Sequence, residues 1–206
     1  MGTAVNVVLG FADYRAPAQR LAAELGVAYA EVDVHRFPDG ESRVRLPTPL
    51  PPRVAFCRSL DRPNDKLVEL LFAAATAREL GVEALALVAP YLCYMRQDTA
   101  FHPGEAVSQR LIGRELARCF DTVVTVDPHL HRTPVLADAV PVPRCRCAVA
   151  LCRARLVHPV RCPSHRFVLR PSTVVVAAAC RRVLIWRARR IIRRVTEACQ
   201  DRISDL

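Results

Sequence analysis

The chain has 206 residues, 51% of them hydrophobic, which suffices for one domain or two small ones with a real core. Its formal net charge of +10 is lopsided: residues 1–142 hold 15 Lys and Arg against 17 Asp and Glu, and residues 143–206 hold 15 Arg against Glu197, Asp201 and Asp205, so the first two-thirds carries no nucleic-acid or membrane signal. No apolar run reaches the roughly 20 residues that cross a bilayer, and no basic stretch leads into an apolar segment at the start, so neither a membrane span nor a signal peptide is expected.

Val5 to Leu9 is an apolar run closed by Gly10 and predicts a first strand. Ala16 to Leu25 has apolar residues at helical spacing and stops at Gly26. Val27 to Val34 alternates as a strand does, and Phe37-Pro-Asp-Gly-Glu41 follows with the tight-turn dipeptide Asp39-Gly40. Arg43 to Leu46 alternates again, so the stretch reads as a half-exposed hairpin. Val54 to Phe56 predicts another strand. Pro63-Asn-Asp65 then opens a long helix ending at Gly81, with Leu67, Leu70, Leu71, Ala74 and Ala75 expected on one face.

Ala84 to Ala89 and Thr122 to Val126 carry no alternating polar residues, which predicts parallel strands covered on both faces. Between them a helix from about Glu105 places Val107, Leu111, Ile112 and Leu116 on one side. Strands alternating with helices predict an α/β fold with a mostly parallel sheet. Both of these late strands lead into side chains that suit chemistry: Arg96, Gln97 and Asp98 after the first, Asp127 and His129 after the second. Ligands of open α/β sheets sit beyond the carboxyl ends of the strands.

Four segments carry a family resemblance. Phe37-Pro-Asp-Gly-Glu41, Arg58-Ser-Leu-Asp-Arg-Pro-Asn-Asp65 with Glu69-Leu-Leu71, Pro90-Tyr91 with Tyr94-Met-Arg-Gln-Asp98, and Val124-Thr-Val-Asp-Pro-His129 occur in order. Together they resemble the N-terminal domain of ribose-phosphate pyrophosphokinase, over roughly residues 3–142. The resemblance implies a phosphoribosyltransferase-like open sheet with flanking helices, and a homo-oligomer. It implies transfer of the β,γ-diphosphate of ATP, with Mg²⁺, to the C1 hydroxyl of ribose 5-phosphate, giving phosphoribosyl pyrophosphate and AMP.

By the same resemblance Arg96, Gln97 and Asp98 belong to the ATP site, and Phe37, Asp39, Gly40 and Glu41 to a loop that reaches the adenine in a neighbouring subunit. His129, assisted by Asp127, stands where the family binds a metal. The residue types suit these roles. A guanidinium fork grips two phosphate oxygens, an amide can donate and accept at a base edge, and Phe offers a stacking face. Competing readings are a surface ion pair between Arg96 and Asp98, an ordinary Asp-Gly hairpin turn, and a structural histidine at a strand end. His131 completes His-x-His but lacks the further ligands of a zinc site.

From about Pro143 the composition changes. Six of nine cysteines lie at 145 or beyond, and no glycine follows Gly113. Only Thr173 to Ala179 reads there as a buried strand, and Leu184, Ala188, Ile191, Ile192 and Val195 form a short apolar stripe among arginines, for which nucleic-acid binding is not the favoured reading. Cys145, Cys147 and Cys152 lack zinc-finger spacing. Free thiols and a cytoplasmic location are expected from an odd cysteine count without a leader.

Residues 143–206 therefore read as an incomplete or aberrant second domain, and an out-of-frame translation of a GC-rich gene is the expected origin. The resemblance implies a second domain with Gly-containing phosphate loops and a catalytic lysine, which the other reading frames of the DNA would then encode. Backbone nests around phosphates need glycine, and the only lysine is Lys66. The chain is thus expected to be inactive or weak as an enzyme. The alternative is a non-catalytic nucleotide-binding partner subunit of the same family.

Overall fold

The structure, a computed structural model, describes residues 5–130, 132–133 and 135–148. Seven strands form one sheet: β1 (Val7–Phe11), β2 (Ala28–Arg36), β3 (Ser42–Arg45), β4 (Arg53–Cys57), β5 (Ala84–Ala89), β6 (Thr122–Val126) and β7 (Arg144–Ala148). Their spatial order is β3-β2-β1-β4-β5-β6-β7. Every neighbouring pair is parallel except β2 and β3, an antiparallel hairpin in which Arg36 faces Ser42. The helices are α1 (Arg15–Leu25), α2 (Pro63–Glu79), α3 (Ser108–Cys119) and α4 (Leu136–Ala139). This is the mostly parallel α/β sheet with flanking helices expected from the alternation of elements.

The core follows the two central strands. β1 is buried along its whole length and β4 from Val54 on, and Phe11, Phe56 and Phe120 stack through tilted and edge contacts at 6.3 and 6.2 Å. The glycine stop after α1 acts as expected. Gly26 takes the left-handed φ of 68° that lets Val27 N–H reach back to the Ala22 carbonyl. Among the described residues no helix is long and apolar enough to cross a membrane.

Four expectations change. β5 and β6 alternate buried and half-buried positions, so they are not equally covered on both faces. The face that α2 buries holds Leu67, Leu70, Ala73, Ala74 and Ala77, together with Glu69. Leu71 is only half-buried and Ala75 is exposed, as are Val68 and Phe72. Apolar residues surround this helix, so counting a stripe cannot choose its inner face.

Helix α3 starts at Ser108 and buries Gln109, Gly113 and Leu116 while Leu111 is exposed. Arg144–Ala148 forms a strand where composition suggested none, because pairing with β6 sets its conformation. Thr173 to Ala179 and the arginine-flanked stripe lie outside the described residues.

Gly113 is where α3 meets α4: a Cβ added there would stand 1.8 Å from the Ala139 carbonyl oxygen. Overpacking against backbone costs about 3 kcal/mol at the upper end, and removing a helix glycine returns only about 1 kcal/mol. Gly113→Ala is therefore expected to destabilise by about 2 kcal/mol, read as a lower urea midpoint at unchanged slope.

Candidate functional site

The register of β5 and β6, with Ala89 opposite Thr125, releases their carboxyl-end loops side by side. Thr125 Oγ1 and the Val126 N–H both donate to the Pro90 carbonyl, at 3.3 and 3.1 Å, which fixes where the loops part. In the β5 loop Tyr94 adopts a left-handed φ of 59°, and its hydroxyl donates to the Asn64 side chain at the start of α2. The turn sends Met95 into the core and leaves Arg96 exposed. Among the described residues Arg96 has no hydrogen-bond or ion-pair partner.

The expected alternative of an Arg96–Asp98 surface pair does not form. Asp98 is buried and paired with Arg132 from the β6 loop: Nη1 stands 2.9 Å from Oδ1, and the Arg132 N–H donates to Oδ2 at 3.2 Å. Gln97 turns its amide inward, donating to the Thr99 carbonyl at 3.1 Å and to Glu105 at 3.4 Å. That leaves Gln97 Oε1 as its acceptor for a ligand.

A second tie runs through Gln109, buried on α3. Its Nε2 donates to the Met95 carbonyl at 3.2 Å, its backbone N–H to the Gln97 carbonyl at 3.1 Å, and its Oε1 accepts from Thr133 Oγ1 at 2.8 Å. Two polar links thus fasten the loop bearing Arg96 to the segment that begins with Asp127 and His129. Both of those side chains are exposed, and Asp127 holds a left-handed φ of 44°, a conformation that clusters at functional turns. The sequence reading missed Arg132, Gln109 and Thr133. Gln109 was discoverable as a polar residue on the stripe of Gly113 and Leu116.

Burial pushes the Asp98 carboxyl up, yet the hydrogen bonds and charge of Arg132 outweigh it and hold the group below its ordinary value. A depressed carboxyl stabilises the fold above the unfolded value near about 3.9 and loses that contribution as pH falls through the lower folded value. The Arg132 amide resonance is expected to stay constant from neutral pH down to about 4 and to shift only below it. A midpoint above that would contradict the link.

Phe37, Asp39, Gly40 and Glu41 are all exposed on the loop joining β2 to β3. The loop closes on itself: Phe37 N–H donates to the Glu41 carbonyl at 2.8 Å, Gly40 N–H to the Phe37 carbonyl at 3.0 Å, and Glu41 N–H to Asp39 Oδ1 at 3.1 Å. Gly40 has a φ of 93° that a side chain would strain. β1 and β4 stand between this hairpin and β5, so the described structure does not join the hairpin loop to the Arg96 site.

Asp127 and His129 offer two donors, and no group of three or more metal-ligating side chains occurs among the described residues. Asp127 is the oxygen donor that suits Mg²⁺, which keeps waters and takes phosphate oxygens beside one or two carboxylates, whereas the His129 imidazole suits Mg²⁺ only through a bound water.

The family model for the N-terminal domain of ribose phosphate pyrophosphokinase matches residues 7–119, from β1 to the end of α3. The chain belongs to the ribose-phosphate pyrophosphokinase family. It is similar to the ribose-phosphate pyrophosphokinase of Methanopyrus kandleri, 42% identical over 112 residues that make up 54% of this chain and 38% of that protein. The protein of the same description from Saccharolobus solfataricus is 39% identical over 114 residues, 54% of this chain and 39% of the relative.

The chain therefore spans less than half the length of these curated relatives of the family. A crystal structure of phosphoribosylpyrophosphate synthetase from Mycobacterium smegmatis has the same fold, with a TM-score of 0.57 and 25% identity over 70% of this chain and 49% of that one. The family-model match ends before Asp127, His129 and Arg132.

Proposed function

We propose that this chain is the nucleotide-binding half of a ribose-phosphate pyrophosphokinase: it binds ATP with Mg²⁺ and by itself turns over little. The observation that carries this reading is the exposed guanidinium of Arg96, without a partner among the described residues, on a loop fastened through Asp98 and Gln109 to Arg132 and Thr133, in the segment that follows Asp127 and His129. Arg96 would grip two oxygens of the polyphosphate, its charge independent of pH. Asp127 and His129 would hold Mg²⁺, which neutralises polyphosphate charge when bound. Gln97 Oε1 would accept from the exocyclic amine of the base. Phe37, Asp39, Gly40 and Glu41 would complete the base site of a neighbouring subunit, which makes a homo-oligomer part of the proposal.

The family reaction is transfer of the diphosphate of ATP to ribose 5-phosphate, giving phosphoribosyl pyrophosphate and AMP. One observation favours a non-catalytic partner subunit over an active enzyme. The only lysine, Lys66, is 14% exposed and is held by Asp13 at 3.2 Å, Asp61 at 3.1 Å and the Ser59 carbonyl at 3.1 Å. The one lysine ammonium is therefore engaged rather than offered to a leaving diphosphate.

Calorimetry with ATP and Mg²⁺, paired with AMP release in the presence of ribose 5-phosphate, tests both parts. Binding without AMP is expected. AMP release at the rate of a full-length relative overturns the low turnover, and absence of ATP binding overturns the whole reading.

A further inference from the structure

The geometry points to Glu69 as the residue that positions the 37–41 hairpin loop for recognition of the nucleotide base, an inference that rests on the function proposed above. Glu69 lies inside α2 and is 1% exposed. Its two oxygens face different parts of the fold.

Oε1 accepts from both stems of the hairpin. Arg36, the last residue of β2, donates through Nε at 3.1 Å and stands with Nη2 at 3.0 Å. Ser42, the first residue of β3 and the cross-strand partner of Arg36, donates through Oγ at 3.2 Å. Arg36 Nη1 also reaches Asp65 on the same helix at 3.0 Å. The five loop residues between the stems touch one another, and Phe37 meets the His35 ring edge-on at 4.7 Å. Among the described residues, the polar link from the hairpin mouth to the helix layer runs through these stems.

Oε2 faces inward. Arg58 Nη2 stands 2.6 Å from it, a charge contact out of line for a hydrogen bond. The Arg58 guanidinium lies 4.1 Å over the Phe11 ring and pairs with Asp13 at 3.0 Å. Arg58 and Asp13 follow β4 and β1, the central strands where the strand order turns. One carboxylate therefore couples the rigid middle of the sheet to an edge hairpin. An edge hairpin held only by its own ladder would sample many orientations, and a ligand-contacting loop loses affinity in proportion to the time it spends misplaced.

Two variants of the full chain test this, Ser42→Ala and Glu69→Gln. Hydrogen exchange of the amides of 37–42 at neutral pH is expected to speed up about tenfold, with α2 and β5 unchanged. In calorimetry with Mg²⁺, ATP is expected to bind about tenfold more weakly while inorganic tripolyphosphate changes less than about twofold. Unchanged loop exchange in both variants overturns the inference, as does equal weakening of both ligands. If Glu69→Gln loosens every segment, Ser42→Ala decides, and an unaltered loop there counts against the anchor. If the parent chain binds tripolyphosphate as tightly as ATP, base recognition by the hairpin falls, whereas the exchange data still decide whether Glu69 holds the loop.

Discussion

Arg58→Met is expected to destabilise residues 1–148 by about 3 kcal/mol, the low end for breaking a buried ion pair. Arg58 is 4% exposed and Glu69 1% exposed, so losing the cation leaves a carboxylate in the interior with nothing inward to face. The loss stays at the low end because Arg36 still reaches the other oxygen from a half-solvated position. The ring contact with Phe11 disappears as well.

For a folded unit of this size the melting temperature should fall by roughly 6–12 °C. Adding Glu69→Leu should return much of the stability, since no unpaired charge then remains inside. The double variant would have a loose hairpin that Arg58→Met alone lacks, because Arg36 and Ser42 have lost their acceptor on Glu69. A loss under about 1 kcal/mol in Arg58→Met would mean that water solvates the pair.

Arg96→Ala is expected to weaken Mg²⁺–ATP binding by about 30- to 100-fold at an unchanged melting temperature. A guanidinium on phosphate forms charge-assisted bonds of up to about 3 kcal/mol, and each 1.4 kcal/mol is about tenfold in affinity. Stability should not change because Arg96 is exposed and has no partner to abandon among the described residues. Arg96→Lys should recover only part of the loss, since a point charge lacks the fork. Asp98→Asn makes the informative contrast: it leaves Arg96 in place but weakens the tie to Arg132, so affinity and melting temperature should fall together. Equal ATP affinity in parent and Arg96→Ala would remove the central support for the nucleotide site.

The two loops differ in how much of them the sequence reveals. Arg96, Gln97, Asp127 and His129 stand out because they are polar residues directly after strand-like runs. The side chains that hold them do not stand out. Asp98 and Arg132 are 34 residues apart, and nothing local in either marks a partner. Glu69 and Ser42 are separated by 27 residues, and a glutamate in mid-helix ordinarily faces water. Asp98 shows the cost of local reasoning. Its neighbour Arg96 was the obvious ion-pair candidate, yet Asp98 is buried against Arg132 while Arg96 is exposed.

By itself the sequence determined the alternation of strands and helices, the tight hairpin, the glycine stop after α1 and the ordered segments that mark the family. These follow from periodicity and turn chemistry, which act within a few residues along the chain. Only the tertiary structure decided which face of α2 turns inward, that Arg144–Ala148 joins the sheet, and that Asp98, Gln109 and Glu69 are buried anchors. Charged and amide groups enter a core only when partners meet them there, and those partners come from distant parts of the chain.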